Sequence, residues 1–149
     1  MKKTLIFCYS IHHGNTKKLA EAVRERCGTE LVMLPCKELP DLKNYELVGF
    51  ASGIYMSAFG RPIISLAEKL EGLEGKECFT MYTSGATSGK LDKNFIKLLE
   101  ARGAHIAGRF NCRGFDTVGP FKLIGGMQKG HPDSEDIENA VSFCRGLMD

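Results

Sequence analysis

The chain has 149 residues and a nearly balanced charge, with 20 basic and 18 acidic side chains. A basic arm for nucleic acid or for an anionic membrane is therefore not expected. The hydrophobic fraction of 43% is that of an ordinary globular protein, and no apolar run approaches the roughly 20 residues that a membrane-spanning helix needs. We expect a single domain over residues 1–149.

The cysteines and the start of the chain indicate a cellular compartment. The six cysteines lack the spacing of a zinc site or of a CxxC redox pair. The first apolar stretch, residues 4–9, is too short for the core of a signal peptide. The sequence thus predicts a cytoplasmic protein with reduced cysteines and no metal site.

Strand-like and helix-like segments alternate along the chain. Short apolar runs predict five strands, at residues 4–9, 30–34, 46–51, 77–82 and 105–111. Apolar residues at helical spacing predict four helices, at residues 16–27, 62–71, 91–102 and about 133–147. Gly28 and Gly103 follow two of these helices as stop signals, and Pro62 opens another. Such alternation predicts an α/β fold with a parallel sheet and helices on both faces.

Five strands in a chain of this length fit a doubly wound sheet of order 2-1-3-4-5. In that order, strands one and three are neighbours whose connections leave toward opposite faces, and ligands bind at their carboxyl ends. Residues 10–16 and 52–60 follow these two strands. We therefore expect both segments to line a ligand crevice.

The segment 10–16 has the features of a phosphate-binding loop, because it leaves a buried strand and enters a helix. The first N–H groups of a helix have no partner within the helix, and the helix dipole favours an anion there. The residues expected to contribute are Ser10, His12, His13, Gly14, Asn15 and Thr16. The segment matches neither GxGxxG nor GxxxxGK[ST], so it favours a monophosphate. A helix start that binds no ligand is the alternative.

The same loop carries a resemblance to a known family. Ser-x-x-x-Gly-x-Thr after a first strand resembles flavodoxins, many of which have Thr-Gly-Asn-Thr where residues 13–16 read His-Gly-Asn-Thr. Its spacing is also similar to that of flavodoxin-type protoporphyrinogen oxidases. Residues 51–55, Ala-Ser-Gly-Ile-Tyr, resemble the same group. The resemblance implies a flavodoxin-like fold with FMN as the cofactor.

The resemblance also assigns residues to the parts of FMN. The first loop would bind the phosphate. The isoalloxazine would be flanked by Ser52, Gly53, Ile54 and Tyr55, and a third loop would be formed by Thr83, Ser84 and Gly85. Tyr55 is the candidate for aromatic contact; the alternative is an exposed loop aromatic that packs on its own neighbours.

Three features depart from the flavodoxin pattern. Residues 84–90 contain no aromatic residue, and the net charge is +2 although flavodoxins that shuttle electrons tend to be acidic. Residues 112–132 are long, apolar and without helical periodicity, and we expect them to cover the flavin from the end of strand five. Within them, Cys112 is either a redox thiol or a buried small residue, and His131 is either a proton donor or a helix-start residue.

Two functions follow from the resemblance. The first is an FMN-binding electron-transfer protein that works with redox partner proteins. The second is an FMN-dependent oxidoreductase, of the NAD(P)H:quinone or protoporphyrinogen type, with a small flat oxidisable substrate under residues 113–131. Neither assigns a catalytic residue, and either fits a monomer or a homodimer. A regulatory module on the same fold is a third class.

Overall fold

The computed structural model describes residues 1–11, 14–85, 90–114 and 130–149. Its strands are β1 (Thr4–Tyr9), β2 (Glu30–Met33), β3 (Leu47–Tyr55), β4 (Ala58–Phe59), β5 (Glu77–Ser84) and β6 (His105–Arg113). Its helices are α1 (Asn15–Cys27), α2 (Arg61–Lys69), α3 (Lys93–Ala101) and α4 (Ser134–Met148). A short 3-10 helix, Leu42–Asn44, precedes β3.

The strands form one sheet in the order β2-β1-β3-β5-β6, and all neighbours in this order are parallel. β4 pairs antiparallel with the end of β3. Because β5 and β6 are the fourth and fifth predicted strands, the predicted order 2-1-3-4-5 is confirmed. So is the flavodoxin-like α/β fold.

The sheet separates two apolar layers because successive side chains of a strand point to opposite faces. In β1, Leu5 and Phe7 pack into the layer that contains α2 and α3, whereas Ile6 and Cys8 pack into the layer with α1 and α4. All four side chains are fully buried. This double burial explains why β1 reads as a continuous apolar run.

Two strands extend further than the sequence predicts. β3 continues from the predicted end at Ala51 to Tyr55, and β5 continues from Tyr82 to Ser84. The predicted loop position of residues 52–55 is therefore wrong: they lie in a strand that pairs with β5 as far as Gly53 and then with β4. Thr83 and Ser84 likewise lie in a strand rather than in a loop.

The helix ends follow the predicted signals. Gly28 has φ of 73° and donates its N–H to the carbonyl of Arg24, so it ends α1 in the left-handed conformation. Pro62 lies in the first turn of α2. Asp133 caps α4. These local residues therefore determine where the helices begin and end.

Candidate functional site

The predicted site segments meet at the carboxyl edge of the sheet. In the parallel register Tyr9 is opposite Ser52, Gly53 is opposite Thr83, and Thr83 is opposite Cys112. The ends of β1, β3, β5 and β6 therefore lie side by side, and the segments that follow them share one edge. This edge includes the boundary between β1 and β3, where ligands bind in doubly wound sheets.

The start of α1 lacks the usual protein cap. Its N-cap residue is Gly14, with φ of 64° and ψ of 31°, and no side chain of the described residues caps the helix. Its first turn carries no acidic residue. The partial positive charge at this end of the helix is therefore not offset by an acidic side chain of its first turn, and it can interact with an anionic ligand.

Ser10 supplies a second indication of a missing partner. Its Oγ atom is buried and has no hydrogen-bond partner among the described residues. A buried hydroxyl without a partner is uncommon, because it loses its hydrogen bonds to water without replacing them. Its place in the loop before α1 fits a hydroxyl that binds a ligand oxygen.

The start of α4, in contrast, is capped by side chains of the chain itself. The Asp133 carboxylate accepts the N–H of Asp136 at 2.9 Å, and the Asp136 carboxylate accepts the N–H of Asp133 at 2.9 Å. His131 Nδ1 lies 2.7 Å from the same Asp136 carboxylate. The two carboxylates thus cap the helix through its backbone, and the His131 side chain, placed just before the helix start, bonds to one of them.

Thr16 and Thr83 connect the first turn of α1 to the end of β5. Their hydroxyl oxygens are 2.8 Å apart, and both residues are buried. Gly114, directly after β6, lies next to Asn15 and Thr83. Its N–H donates to the carbonyl of Ser84. A Cβ on Gly114 would lie 2.8 Å from Asn15 Nδ2 and 3.0 Å from Thr83 Cβ. A larger residue there would require Asn15 and Thr83 to shift, and the sequence alone did not single Gly114 out.

Ser52 stabilises the hairpin that β3 forms with β4. Its hydroxyl accepts the N–H of Gly60 at 3.0 Å and donates to the carbonyl of Gly53 at 2.6 Å. The side chain is fully buried. The hydroxyl is therefore engaged by the backbone of this segment.

Tyr55 lies between the hairpin and the first loop. Its Oη accepts the N–H of Ile11 at 2.9 Å. Its ring packs edge-on against Tyr9, with centroids 5.6 Å apart and an angle of 67° between the planes. These are the contacts of an aromatic that packs on its neighbours, although Tyr55 is half-buried in β3 and not exposed in a loop.

The turn between β3 and β4 consists of Met56 and Ser57, whose φ angles are 52° and 65°. Such angles suit the two-residue turn of a tight hairpin, but they are uncommon for residues other than glycine, asparagine and aspartate. The Met56 side chain is fully exposed. The site therefore has a backbone-strained, apolar tip beside Tyr55.

Cys112 lacks the features of a reactive thiol. Burial raises its pKa to about 12, and the nearby carboxylates of Asp136 and Asp133 act in the same direction. The thiol is therefore protonated near neutral pH, whereas a redox-active cysteine reacts as the thiolate. Its environment is that of a half-buried small residue at a strand end.

The family follows from comparison of the sequence. The model of the flavodoxin domain family matches residues 6–114. The chain belongs to this flavodoxin-domain family. An uncharacterized protein of Methanocaldococcus jannaschii is 35% identical over 149 residues, and the match covers 98% of both chains.

Solved flavodoxin-like structures share the fold. A flavodoxin from the domain Archaea has a TM-score of 0.72 at 15% identity, and the match covers 97% of this chain and 96% of that one. A flavoprotein from Lactobacillus acidophilus NCFM in complex with FMN has a TM-score of 0.65 at 22% identity, over 74% of this chain and 93% of that one. Both similarities concern the architecture of the chain.

Most of the predicted site residues of this flavodoxin-domain protein come together. The first loop, the end of β3 and the end of β5 share one edge; their described members are Ser10, Gly14, Asn15, Thr16, Ser52, Gly53, Ile54, Tyr55, Thr83, Ser84 and Gly85. His12, His13 and residues 115–129 of the predicted cover lie outside the described residues. In the parts that are described, no helix combines the length and apolarity needed to cross a membrane.

Proposed function

We propose that this flavodoxin-domain protein binds FMN, with the phosphate at the start of α1, and transfers electrons between redox partner proteins. The observation that carries the proposal is the presence, in the one segment between β1 and α1, of an uncapped helix start and a buried Ser10 hydroxyl without a partner among the described residues. A helix amino terminus and a hydroxyl donor together suit a phosphate. The FMN complex of the Lactobacillus flavoprotein, which has the same fold, supports the choice of cofactor.

The residues present fit such a phosphate. α4 has a complete capping box and acidic residues in its first turn, whereas α1 has neither. The missing cap is therefore particular to α1. Ser10, Asn15 and Thr16 would hold the phosphate, with Gly14 permitting the backbone to approach. His12 and His13 remain predicted contributors to the same loop.

The ring end of FMN would lie along the neighbouring strand ends. Residues 52–55 and 83–85 are the candidates there, as the family resemblance implies. The Ser52 hydroxyl is bonded to Gly60 and Gly53, so this residue would act by holding the hairpin in place. When bound, FMN supplies a ring system that accepts and releases one or two electrons.

An exposed apolar rim supports a protein as the redox partner. Met56 is fully exposed and Ile11 is 47% exposed, and both lie beside Tyr55. Methionine adapts its shape to different partner surfaces. With a net charge of only +2, apolar contact at this rim is a better basis for docking than long-range charge steering.

Flavin titration of the apoprotein tests the phosphate site. We expect FMN to bind at micromolar concentration and riboflavin, which lacks the phosphate, to bind more weakly. Ser10→Ala should weaken FMN binding about tenfold or more, because hydrogen bonds to charged groups contribute about 1.5–3 kcal/mol. It should leave riboflavin binding and the stability of the apoprotein unchanged. Ser142→Ala, at an exposed position of α4, is the matched control.

The outcomes separate the parts of the proposal. Apoprotein that takes up no FMN overturns the cofactor. FMN binding that Ser10→Ala leaves intact overturns the placement of the phosphate. Reductive titration of the loaded protein tests the electron-transfer role: two separate one-electron steps support it. A single two-electron step with rapid NAD(P)H oxidation by a quinone favours the oxidoreductase instead.

A further inference from the structure

We propose that, in the FMN site proposed above, Tyr55 is a positioning residue for the phosphate loop and not a stacking partner for the flavin ring. The family resemblance assigns an aromatic residue here to the isoalloxazine. In this chain the Tyr55 hydroxyl is instead hydrogen-bonded to the backbone of the loop that follows β1.

The hydrogen bond from Ile11 to Tyr55 acts directly on Ser10. Tyr55 Oη accepts the Ile11 N–H at 2.9 Å, across 44 residues of sequence. The peptide group is planar, so the plane that contains the Ile11 N–H also contains the Cα and carbonyl of Ser10. Fixing this N–H therefore fixes the backbone from which the unpartnered Ser10 hydroxyl projects.

The ring of Tyr55 is held in its present position from several sides. It packs edge-on against Tyr9, and a Cβ on Gly53 would lie only 2.6 Å from its Oη. At Gly60 a Cβ would lie 2.3 Å from the Tyr9 ring and 3.2 Å from the Tyr55 ring. The two glycines thus provide the space in which the tyrosines pack.

The backbone of Tyr55 is fixed as well. Tyr55 pairs with Ala58 across the hairpin, and the Ser52 hydroxyl joins β3 to Gly60 beyond β4. Rotation of the ring onto a flavin would break both the contact with Tyr9 and the hydrogen bond from Ile11. The observed arrangement favours a side chain that connects the hairpin to the phosphate loop.

The ionisation of Tyr55 suits this role. Burial raises the pKa of its phenol above the ordinary value, although the hydrogen bond from Ile11 acts in the opposite direction. The hydroxyl is therefore neutral near neutral pH. It accepts the Ile11 N–H without placing a negative charge beside a bound phosphate.

Comparing FMN with riboflavin in Tyr55→Phe distinguishes positioning from stacking. The substitution keeps the ring and removes the hydroxyl. We expect FMN binding to weaken about three- to tenfold, the usual effect of one lost hydrogen bond, and riboflavin binding to stay unchanged. Tyr9→Phe removes a hydroxyl from the other ring of the same pair, and it should leave both affinities as they are.

Amide hydrogen exchange in the flavin-free protein gives a second readout. Because Tyr55→Phe removes the acceptor, the Ile11 amide should exchange faster in this variant than in the wild type or in Tyr9→Phe. Thermal unfolding of all three proteins shows whether the fold is retained.

Each outcome has a distinct meaning. Wild-type protein that binds neither flavin overturns the FMN function and the role of Tyr55 with it. Wild-type protein that binds FMN, alongside a Tyr55→Phe variant that binds it equally well, overturns the role of Tyr55 alone. Equal losses of FMN and riboflavin affinity would show that the hydroxyl acts on the part that the two flavins share, and would overturn its role in the phosphate loop. An unchanged Ile11 exchange rate overturns the connection between Tyr55 and the loop.

Discussion

The hydroxyl oxygens of Thr16 and Thr83 lie 2.8 Å apart, although 67 residues separate them in the chain. Thr16 is in the first turn of α1 and Thr83 is near the end of β5. The pair therefore fixes the start of α1 relative to the sheet at the candidate phosphate site. Both hydroxyls are buried, so each depends on the other for a partner.

Thr16→Val and Thr83→Val should each destabilise the protein. Either change leaves the remaining buried hydroxyl without its partner, at a cost of about 1–3 kcal/mol in the free energy of unfolding. The double variant leaves neither hydroxyl, so its loss should be smaller than the sum of the single losses by about 1 kcal/mol. Urea unfolding of the four proteins measures this coupling. Strictly additive losses would show that the pair contributes nothing.

Thr29→Val is a control for these substitutions, because we expect it not to lower the stability of the protein. The Thr29 hydroxyl is buried and has no hydrogen-bond partner among the described residues. The same substitution there removes an unsatisfied group and should leave stability unchanged or raise it, by up to about 1 kcal/mol.

Gly14→Ala and Gly28→Ala should have equal effects on stability and unequal effects on FMN binding. Both glycines have left-handed φ angles, 64° and 73°, and a Cβ at either position meets no atom of the described residues within 4 Å. Each alanine should therefore cost about 1 kcal/mol in the free energy of unfolding, from backbone strain alone.

Only Gly14 lies in the candidate phosphate loop, so only its variant should weaken FMN binding, by about tenfold or more. Thermal unfolding and FMN titration of both variants provide the comparison. Similar FMN affinities in the two variants would argue against a phosphate at the start of α1.

Asp133 should contribute to the acid sensitivity of the fold. The N–H of Asp136, which donates to the Asp133 carboxylate, lowers the pKa of that carboxyl below 3.8, and His131 acts in the same direction. As the pH falls, the unfolded chain takes up this proton before the folded chain does. The stabilisation is therefore fully present above about pH 4 and is lost below it, as the pH falls through the folded pKa.

Asp133→Asn keeps a side-chain oxygen for the cap and removes the titration. Its stability should fall less steeply than that of the wild type below about pH 4. Glu25→Gln makes the same carboxylate-to-amide change at an exposed position of α1 and should follow the wild type. If the stabilities of the wild type and of Asp133→Asn fall equally steeply with decreasing pH, Asp133 does not contribute to acid unfolding.

The sequence was sufficient for the order of the elements and for the sheet edge at which the candidate site residues meet. Apolar periodicity and stop signals such as Gly28 are local properties, and a doubly wound sheet then determines which strand ends are neighbours. The candidate phosphate loop was located in this way, because its position follows from β1 and α1 alone.

The details at the edge depend on contacts that have no local signal. The hairpin turn at Met56 and Ser57 contains none of the residues that mark such turns, so the extension of β3 and the presence of β4 were missed. Gly114 was missed because its need for glycine comes from Asn15 and Thr83, which are distant in sequence. The same applies to the contact between Tyr55 and Ile11.

The difference between the two helix starts has a consequence for the lifetime of the protein in the cell. α4 has a capping box of its own side chains, whereas no side chain of the described residues caps the start of α1, where we propose that a ligand phosphate binds. A ligand that binds only the folded state stabilises it in proportion to the logarithm of its free concentration. If the ligand is FMN, chains made when flavin is scarce would unfold more often and be degraded sooner. The abundance of this protein would then follow the supply of its cofactor without any separate regulator.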